Sequence, residues 1–64
     1  MKAVEYYKQA IEWNPNDDYA LKNLGDMYRN GYGVEQSLSI AKTYYCKSAE
    51  LGNEDAKKAL KEIG

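Results

Sequence analysis

The apolar pattern of this 64-residue chain repeats along its length. In two places, an alanine followed four positions later by a larger apolar residue recurs further along the chain. Ala20–Leu24 recurs as Ala56–Leu60, and Ala3–Tyr7 recurs as Ala41–Tyr45. The shifts are 36 residues (20 to 56) and 38 residues (3 to 41). Repeats of about 20–50 residues are the sequence signature of solenoids, in which each unit buries its apolar face against its neighbours. The chain is therefore predicted to be a stack of helical repeats.

Helical periodicity and helix-boundary residues predict four helices and no strand, so the fold class is all-α. Their approximate extents are Lys2–Trp13, Tyr19–Asn30, a third helix between Ser37 and Gly52, and Glu54–Ile63. Pro15 disfavours helical backbone at Asn14 and ends the first helix. Gly31 suits the left-handed residue that closes the second. Short polar side chains before the later helices, among them Ser37 and Asn53, are expected to accept hydrogen bonds from free amides.

The predicted core combines small residues with large aromatic rings. Tyr7, Tyr28 and Tyr45 have the spacing of buried helix positions, and Leu38 is expected to face inward from the third helix. Trp13 is assigned to the core in preference to an interface. Gly25 lies in the middle of a helix, where glycine costs about 1 kcal/mol relative to alanine. A close backbone contact is the expected reason for it.

Three segments carry a resemblance to a known family: Leu21 to Tyr28, then Gly31-Tyr32-Gly33-Val34, then Ala41-x-x-Tyr44-Tyr45. Together they resemble the tetratricopeptide repeat and, because of the Gly-Tyr-Gly turn, most closely the Sel-like repeat. The resemblance implies antiparallel helices in the order B, A, B, A within an α–α superhelix. One complete unit at about 18–53 is flanked by two half-repeats, and residues 1–64 are expected to form one domain.

Members of this family bind proteins or peptides, so the resemblance implies a non-catalytic protein–protein interaction module. In the family, the first helix of each repeat lines a concave groove. Mapped onto this chain, the groove residues are Tyr19, Lys22, Asn23, Asp26, Arg29, Asp55, Lys58 and Glu62. The partner is expected to be a peptide or helix that docks between the second and fourth helices.

The alternative function is a structural unit that associates mainly with itself and has no evolved external ligand. The first helix carries a second apolar stripe, the N-terminal patch, made of Ala3, Tyr6, Ala10 and Trp13. In the family, such a stripe packs on a helix that this chain does not contain. A homo-oligomer formed through the N-terminal helix is therefore expected. The chain would then be a fragment, a designed or permuted miniature, or a unit completed by association.

Composition argues against several other classes of function. The net charge of −1, with both signs interspersed, gives no basic surface for nucleic acid. No apolar run is long enough for a bilayer and no signal peptide is recognised. The single cysteine suits a reducing compartment, so the expected location is the cytoplasm. Cys46 is the single cysteine and histidine is absent, which disfavours a disulfide, a metal site and a nucleophilic triad. No catalytic residue is therefore expected. No cofactor is expected either, since Gly31-x-Gly33 follows a helix, whereas a dinucleotide-binding loop follows a strand.

Overall fold

A computed structural model describes the backbone of residues 2–63 and the side chains of residues 3–63. Within this range the chain forms four α-helices: α1 (Lys2–Trp13), α2 (Asp18–Asn30), α3 (Leu38–Glu50) and α4 (Glu54–Ile63). No strand occurs among the described residues, and the all-α prediction is confirmed.

Local hydrogen bonds explain where the helices begin and end. The Asp17 carboxylate accepts from the amide of Ala20 at 3.1 Å, and the Ser37 hydroxyl accepts from the amide of Ile40 at 3.2 Å. Gly31 closes α2 in the left-handed conformation, with φ 73°, and donates its amide to the carbonyl of Met27. These bonds satisfy groups that a helix end leaves unpaired, as the sequence predicted.

The helices pack in chain order, α1 on α2, α2 on α3 and α3 on α4. In the 36-residue series, Ala20 of α2 and Ala56 of α4 are both inaccessible. In the 38-residue series, Ala41 and Tyr45 of α3 are fully buried, whereas Ala3 and Tyr7 of α1 are half-buried. The 36-residue shift inferred from the sequence is thus a structural repeat. It places α2 and α4 in equivalent positions on either side of α3.

The close contact expected at Gly25 is made by Tyr45. A β-carbon at Gly25 would lie 2.7 Å from two ring atoms of Tyr45, whose side chain is fully buried. Glycine therefore lets the ring of one helix lie directly on the backbone of the next.

Two core predictions are wrong. Trp13 is 89% exposed, because it is the last residue of α1, whereas the buried residue Val4 lies near the beginning of that helix. Leu38 is 48% exposed. The buried row of α3 begins one turn later, at Ala41, so the first residue of the helix projects beyond the core. In both cases helical periodicity identified a face but not the length over which that face is covered.

Candidate protein-binding surfaces

The predicted groove lies along α2 and α4, and side chains bridge the two segments near both ends. The side-chain amide of Asn53, just before α4, donates to the carboxylate of Asp18 at 2.8 Å. Towards the other end, the guanidinium of Arg29 forms an ion pair with Glu62 at 3.0 Å. These bonds connect residues 35 and 33 positions apart in the chain. They link α2 to the segment of α4 near both ends of this face.

Between these bridges, several groove residues bind one another. Lys22 pairs with Asp26 at 3.3 Å, one turn apart on α2. The amide of Asn23 donates to the backbone carbonyl of Tyr19 at 2.9 Å. Asp26 also accepts a hydrogen bond from the hydroxyl of Tyr45. The charged centre of the groove is therefore connected to the buried core beneath it.

Two pKa shifts reflect this network. The pKa of Tyr45 is raised well above its ordinary value of 10.0, mainly because burial disfavours the phenolate and also because Asp26 binds the neutral hydroxyl. The pKa of Arg29 is raised, chiefly by its hydrogen bond to Glu62. Both shifts follow from the contacts that join these two side chains to Asp26 and Glu62.

Tyr19, Asp55 and Lys58 are the groove residues with exposed side chains that lie outside these pairs. The ring of Tyr19 lies edge-on to that of Tyr7 on α1, with centroids 6.4 Å apart. One side of Tyr19 is therefore supported and the other faces solvent. Aromatic residues presented in this way are enriched in protein interfaces.

The N-terminal patch forms a second exposed surface on α1. Tyr6 is 67% exposed and Trp13 is 89% exposed, while Ala3 and Ala10 are half-buried. The ring of Tyr6 lies edge-on to Tyr7 at 5.4 Å, with an interplanar angle of 78°. The patch is thus an apolar surface with one supported aromatic ring.

A third feature was not predicted from the sequence. The loop after α2 folds back so that the side-chain amide of Gln36 donates to the backbone carbonyl of Arg29 at 2.8 Å. It borders a shallow depression lined by Tyr28, Val34, Glu35, Gln36, Ser37 and Ile40. The rings of Tyr28 and Tyr44 stack beside it, 5.7 Å apart. The Gly-Tyr-Gly turn was the only sequence signal for this loop. It predicts a turn, but it does not predict how that turn is placed against the neighbouring helices.

The stacked helix pairs, the repeated core positions and the Gly25–Tyr45 contact define an α-helical repeat protein. The chain matches the family described as Sel1 repeat over residues 1–12 and 18–53, and it belongs to that family. The second matched segment coincides with the complete unit predicted from the sequence. Residues 13–17, which contain the Asn-Pro-Asn junction, lie between the two segments.

Among curated proteins, the chain is similar to the rat (Rattus norvegicus) protein named DAP3-binding cell death enhancer 1. The two are 37% identical over 62 residues, which cover 97% of this chain and 12% of the rat protein. The chain thus spans a small fraction of the relative's length. No solved structure matches it significantly.

Sel1 repeats are generally non-catalytic modules for protein interaction. Within residues 2–63, no set of three potential ligands is grouped to hold a metal ion. The helices described for this chain, of at most 13 residues, are all too short and too polar to cross a membrane.

Proposed function

We propose that this chain is a protein-binding module that docks a peptide or a helix on the face formed by α2 and α4. The observation that carries the proposal is the pair of bridges, Asp18–Asn53 and Arg29–Glu62, which hold the two helices side by side. A surface already fixed in the free protein loses less conformational entropy when a partner binds. The cytoplasm, which suits a chain with a single free thiol, is the proposed location.

The groove residues have different roles in this proposal. Arg29, Asp26 and Lys22 maintain the surface through their mutual and core contacts. Tyr19 and Lys58 are exposed and contact the partner directly. With acids and bases interspersed, the face suits a peptide of mixed charge that carries an apolar side chain for Tyr19. The name of the rat relative states that it binds a protein, DAP3. A protein partner for this chain is consistent with that name.

The test is selection of binders from a displayed library of random peptides, followed by affinity measurements on variants. Tyr19→Ala and Lys58→Glu should each weaken the selected peptides at least about tenfold, the loss expected of an interface hot spot. Tyr32→Ala, at an exposed loop tyrosine, is the matched control and should bind as the parent does. Selected peptides that bind the parent, Tyr19→Ala and Lys58→Glu equally would exclude this face.

A second candidate function is a structural unit that binds its own copies. The exposure of Tyr6 and Trp13 on α1 favours it. Under that function, peptide selection yields no binder at α2 and α4, and Tyr6→Glu changes the oligomeric state. Both surfaces can also operate together, since they lie on different helices.

A further inference from the structure

Large and small residues alternate along the N-terminal patch of α1. The order is Ala3, Tyr6, Ala10, Trp13, at spacings of three, four and three residues. These spacings keep all four on one side of a helix. Read in the opposite direction, the same patch runs large, small, large, small. A second copy laid antiparallel on the first therefore places each ring opposite an alanine.

We propose that two copies of this chain associate through α1 around a two-fold axis, with the two helices antiparallel. The pairs Tyr6–Ala10 and Ala3–Trp13 are both centred on position 8 of the sequence. Tyr6 of one copy then packs on Ala10 of the second copy, and Trp13 packs on Ala3. Symmetry makes each contact twice, as in the isologous interfaces of most dimers. This inference does not rest on the function proposed for α2 and α4.

The charged side chains of α1 that the structure describes, from residue 3 onwards, do not oppose this pairing. Glu5 and Glu12 are exposed, and at 100° per residue they lie roughly 120° or more around the helix from the centre of the patch. Lys8 is directed to α2, where its ammonium lies 5.9 Å from the centroid of the Tyr28 ring. Antiparallel association thus brings together apolar surface without placing these like charges against each other.

The other end of the chain fits this patch poorly, which favours a head-to-head arrangement. By the 38-residue shift, Tyr7 of α1 corresponds to Tyr45 of α3. Tyr45 lies on Gly25 of α2, where a β-carbon would approach its ring to 2.7 Å. The 36-residue shift puts Lys61 of α4 at the position of Gly25. A copy that stacked its α4 on α1 in the repeat geometry would therefore drive Lys61 into Tyr7.

The exposed area indicates a weak, reversible dimer. Each buried aromatic ring removes about 150–250 Å² from water when fully exposed beforehand. With Tyr6 67% and Trp13 89% exposed, burial of both rings in two copies amounts to roughly 470–780 Å². Stable specific interfaces bury about 1,200 Å² or more. The expected dissociation constant is thus in the micromolar to millimolar range.

The test is sedimentation equilibrium under reducing conditions, which exclude a disulfide through the exposed Cys46. Between micromolar and millimolar concentration, the average mass should rise from that of the 7.3 kDa chain towards twice that value. Tyr6→Glu and Ala10→Lys alone should each raise the dissociation constant at least about tenfold. Their equimolar mixture should dimerise again, because the antiparallel pairing places the new carboxylate opposite the new ammonium.

Tyr32→Glu is the matched control, because it makes the same change at an exposed tyrosine outside α1. It should dimerise as the parent does, and circular dichroism should show every variant folded. A folded Tyr6→Glu variant with the parent's mass curve would overturn the proposal. So would a mixture that stays monomeric. A parent that remains monomeric, yet binds a peptide of residues 17–31, would instead assign the patch to a helix of the α2 type.

Discussion

Gly25 lies under the ring of Tyr45, and this contact decides which residue position 25 accepts. Alanine would gain about 1 kcal/mol in helix propensity. Its β-carbon, however, would lie 2.7 Å from Cδ1 and Cε1 of a ring that is buried and hydrogen-bonded through its hydroxyl. Overpacking of this kind costs about 1–3 kcal/mol. We expect Gly25→Ala to lower the free energy of unfolding by about 1 kcal/mol, measured by urea denaturation.

The effect of Gly25→Ala on the free energy of unfolding should change sign when the ring of Tyr45 is removed. In a Tyr45→Leu background, the same Gly25→Ala change should stabilise the chain, because only the helix-propensity gain remains. A double-mutant cycle therefore separates the contact from the general effect of glycine in a helix. Equal effects of Gly25→Ala in both backgrounds would show that Tyr45 does not determine the choice of glycine.

The raised pKa of Tyr45 makes stability depend on alkaline pH. The unfolded tyrosine ionises near its ordinary pKa of 10.0, whereas the folded one, buried and bound to Asp26, retains its proton to a higher pH. This contribution to stability is thus complete below pH 10 and decreases as pH rises towards the folded-state pKa. Tyr45→Phe removes the hydrogen bond and should lower the free energy of unfolding by about 1 kcal/mol at pH 7. Above pH 10, the stability of this variant should decrease less steeply than that of the parent.

Chemical denaturation at a series of pH values between 7 and the alkaline range, about pH 11, measures this dependence. Tyr32→Phe is the control at an exposed tyrosine. If Tyr45→Phe and the parent lose stability in parallel above pH 10, Tyr45 does not contribute to the alkaline slope.

At the scale of the helix, boundaries could be predicted from the sequence because they depend on near neighbours. Asp17 and Ser37 each bind an amide three residues away, and Gly31 adopts φ 73° within its own turn. The ion pair of Arg29 with Glu62, in contrast, joins residues 33 positions apart and depends on the packing of both helices. The resemblance therefore names the groove residues as a prediction, but it does not indicate which of them pair with each other.

The exposure of residues at the helix ends could not be predicted from the apolar pattern either. Trp13 and Leu38 fit the apolar period of their helices, but the period does not specify how far a neighbouring helix extends. Tyr45 was predicted correctly because it lies in the middle of α3, with α2 on one side and α4 on the other. Central positions follow from periodicity, while terminal ones require the relative placement of two elements.

Asn53 links one helix to another while it caps its own. Its side-chain oxygen Oδ1 accepts from the backbone amide of Ala56 at 2.8 Å, and its side-chain nitrogen Nδ2 donates to the carboxylate of Asp18 at 2.8 Å. Aspartate is as good an N-cap as asparagine. Asn53→Asp nevertheless removes the donor and places two carboxylates together. We expect a loss of about 1–2 kcal/mol in the free energy of unfolding.

Thermal and urea unfolding measure the effect of this change. Asn16→Asp, in the exposed turn between α1 and α2, is the matched control and should leave stability nearly unchanged. Adding Asp18→Asn to Asn53→Asp restores one donor facing one carboxylate, and it should recover most of the loss. Unchanged stability in Asn53→Asp would mean that Asn53 acts only as a cap, and a loss without recovery in the double variant would mean that the bond to Asp18 is not its cause.

Across the whole molecule, the two ends of the stack differ. At positions where α2 presents the buried residues Leu21 and Gly25, the 36-residue shift places Lys57 and Lys61 on α4. A polar outer face disfavours stacking of a further unit, as in the capping repeats of solenoids. Helix α1 has exposed aromatic residues instead. The two faces are therefore expected to differ in how readily each accepts another copy of this chain.

Replacing the two lysines should remove that asymmetry. With Lys57→Leu and Lys61→Gly, α4 presents the same outer face as α2 and accepts α1 of another copy, with Tyr7 in the place of Tyr45. Such a head-to-tail contact does not close on itself and produces open chains. In sedimentation experiments the double variant should exceed the mass of a dimer as concentration rises, whereas Lys58→Leu, an apolar change at an exposed lysine among the groove residues, should not. If the double variant stays within the mass range of the parent, the lysines of α4 are not what limits stacking, and the geometry of α1 must limit it instead.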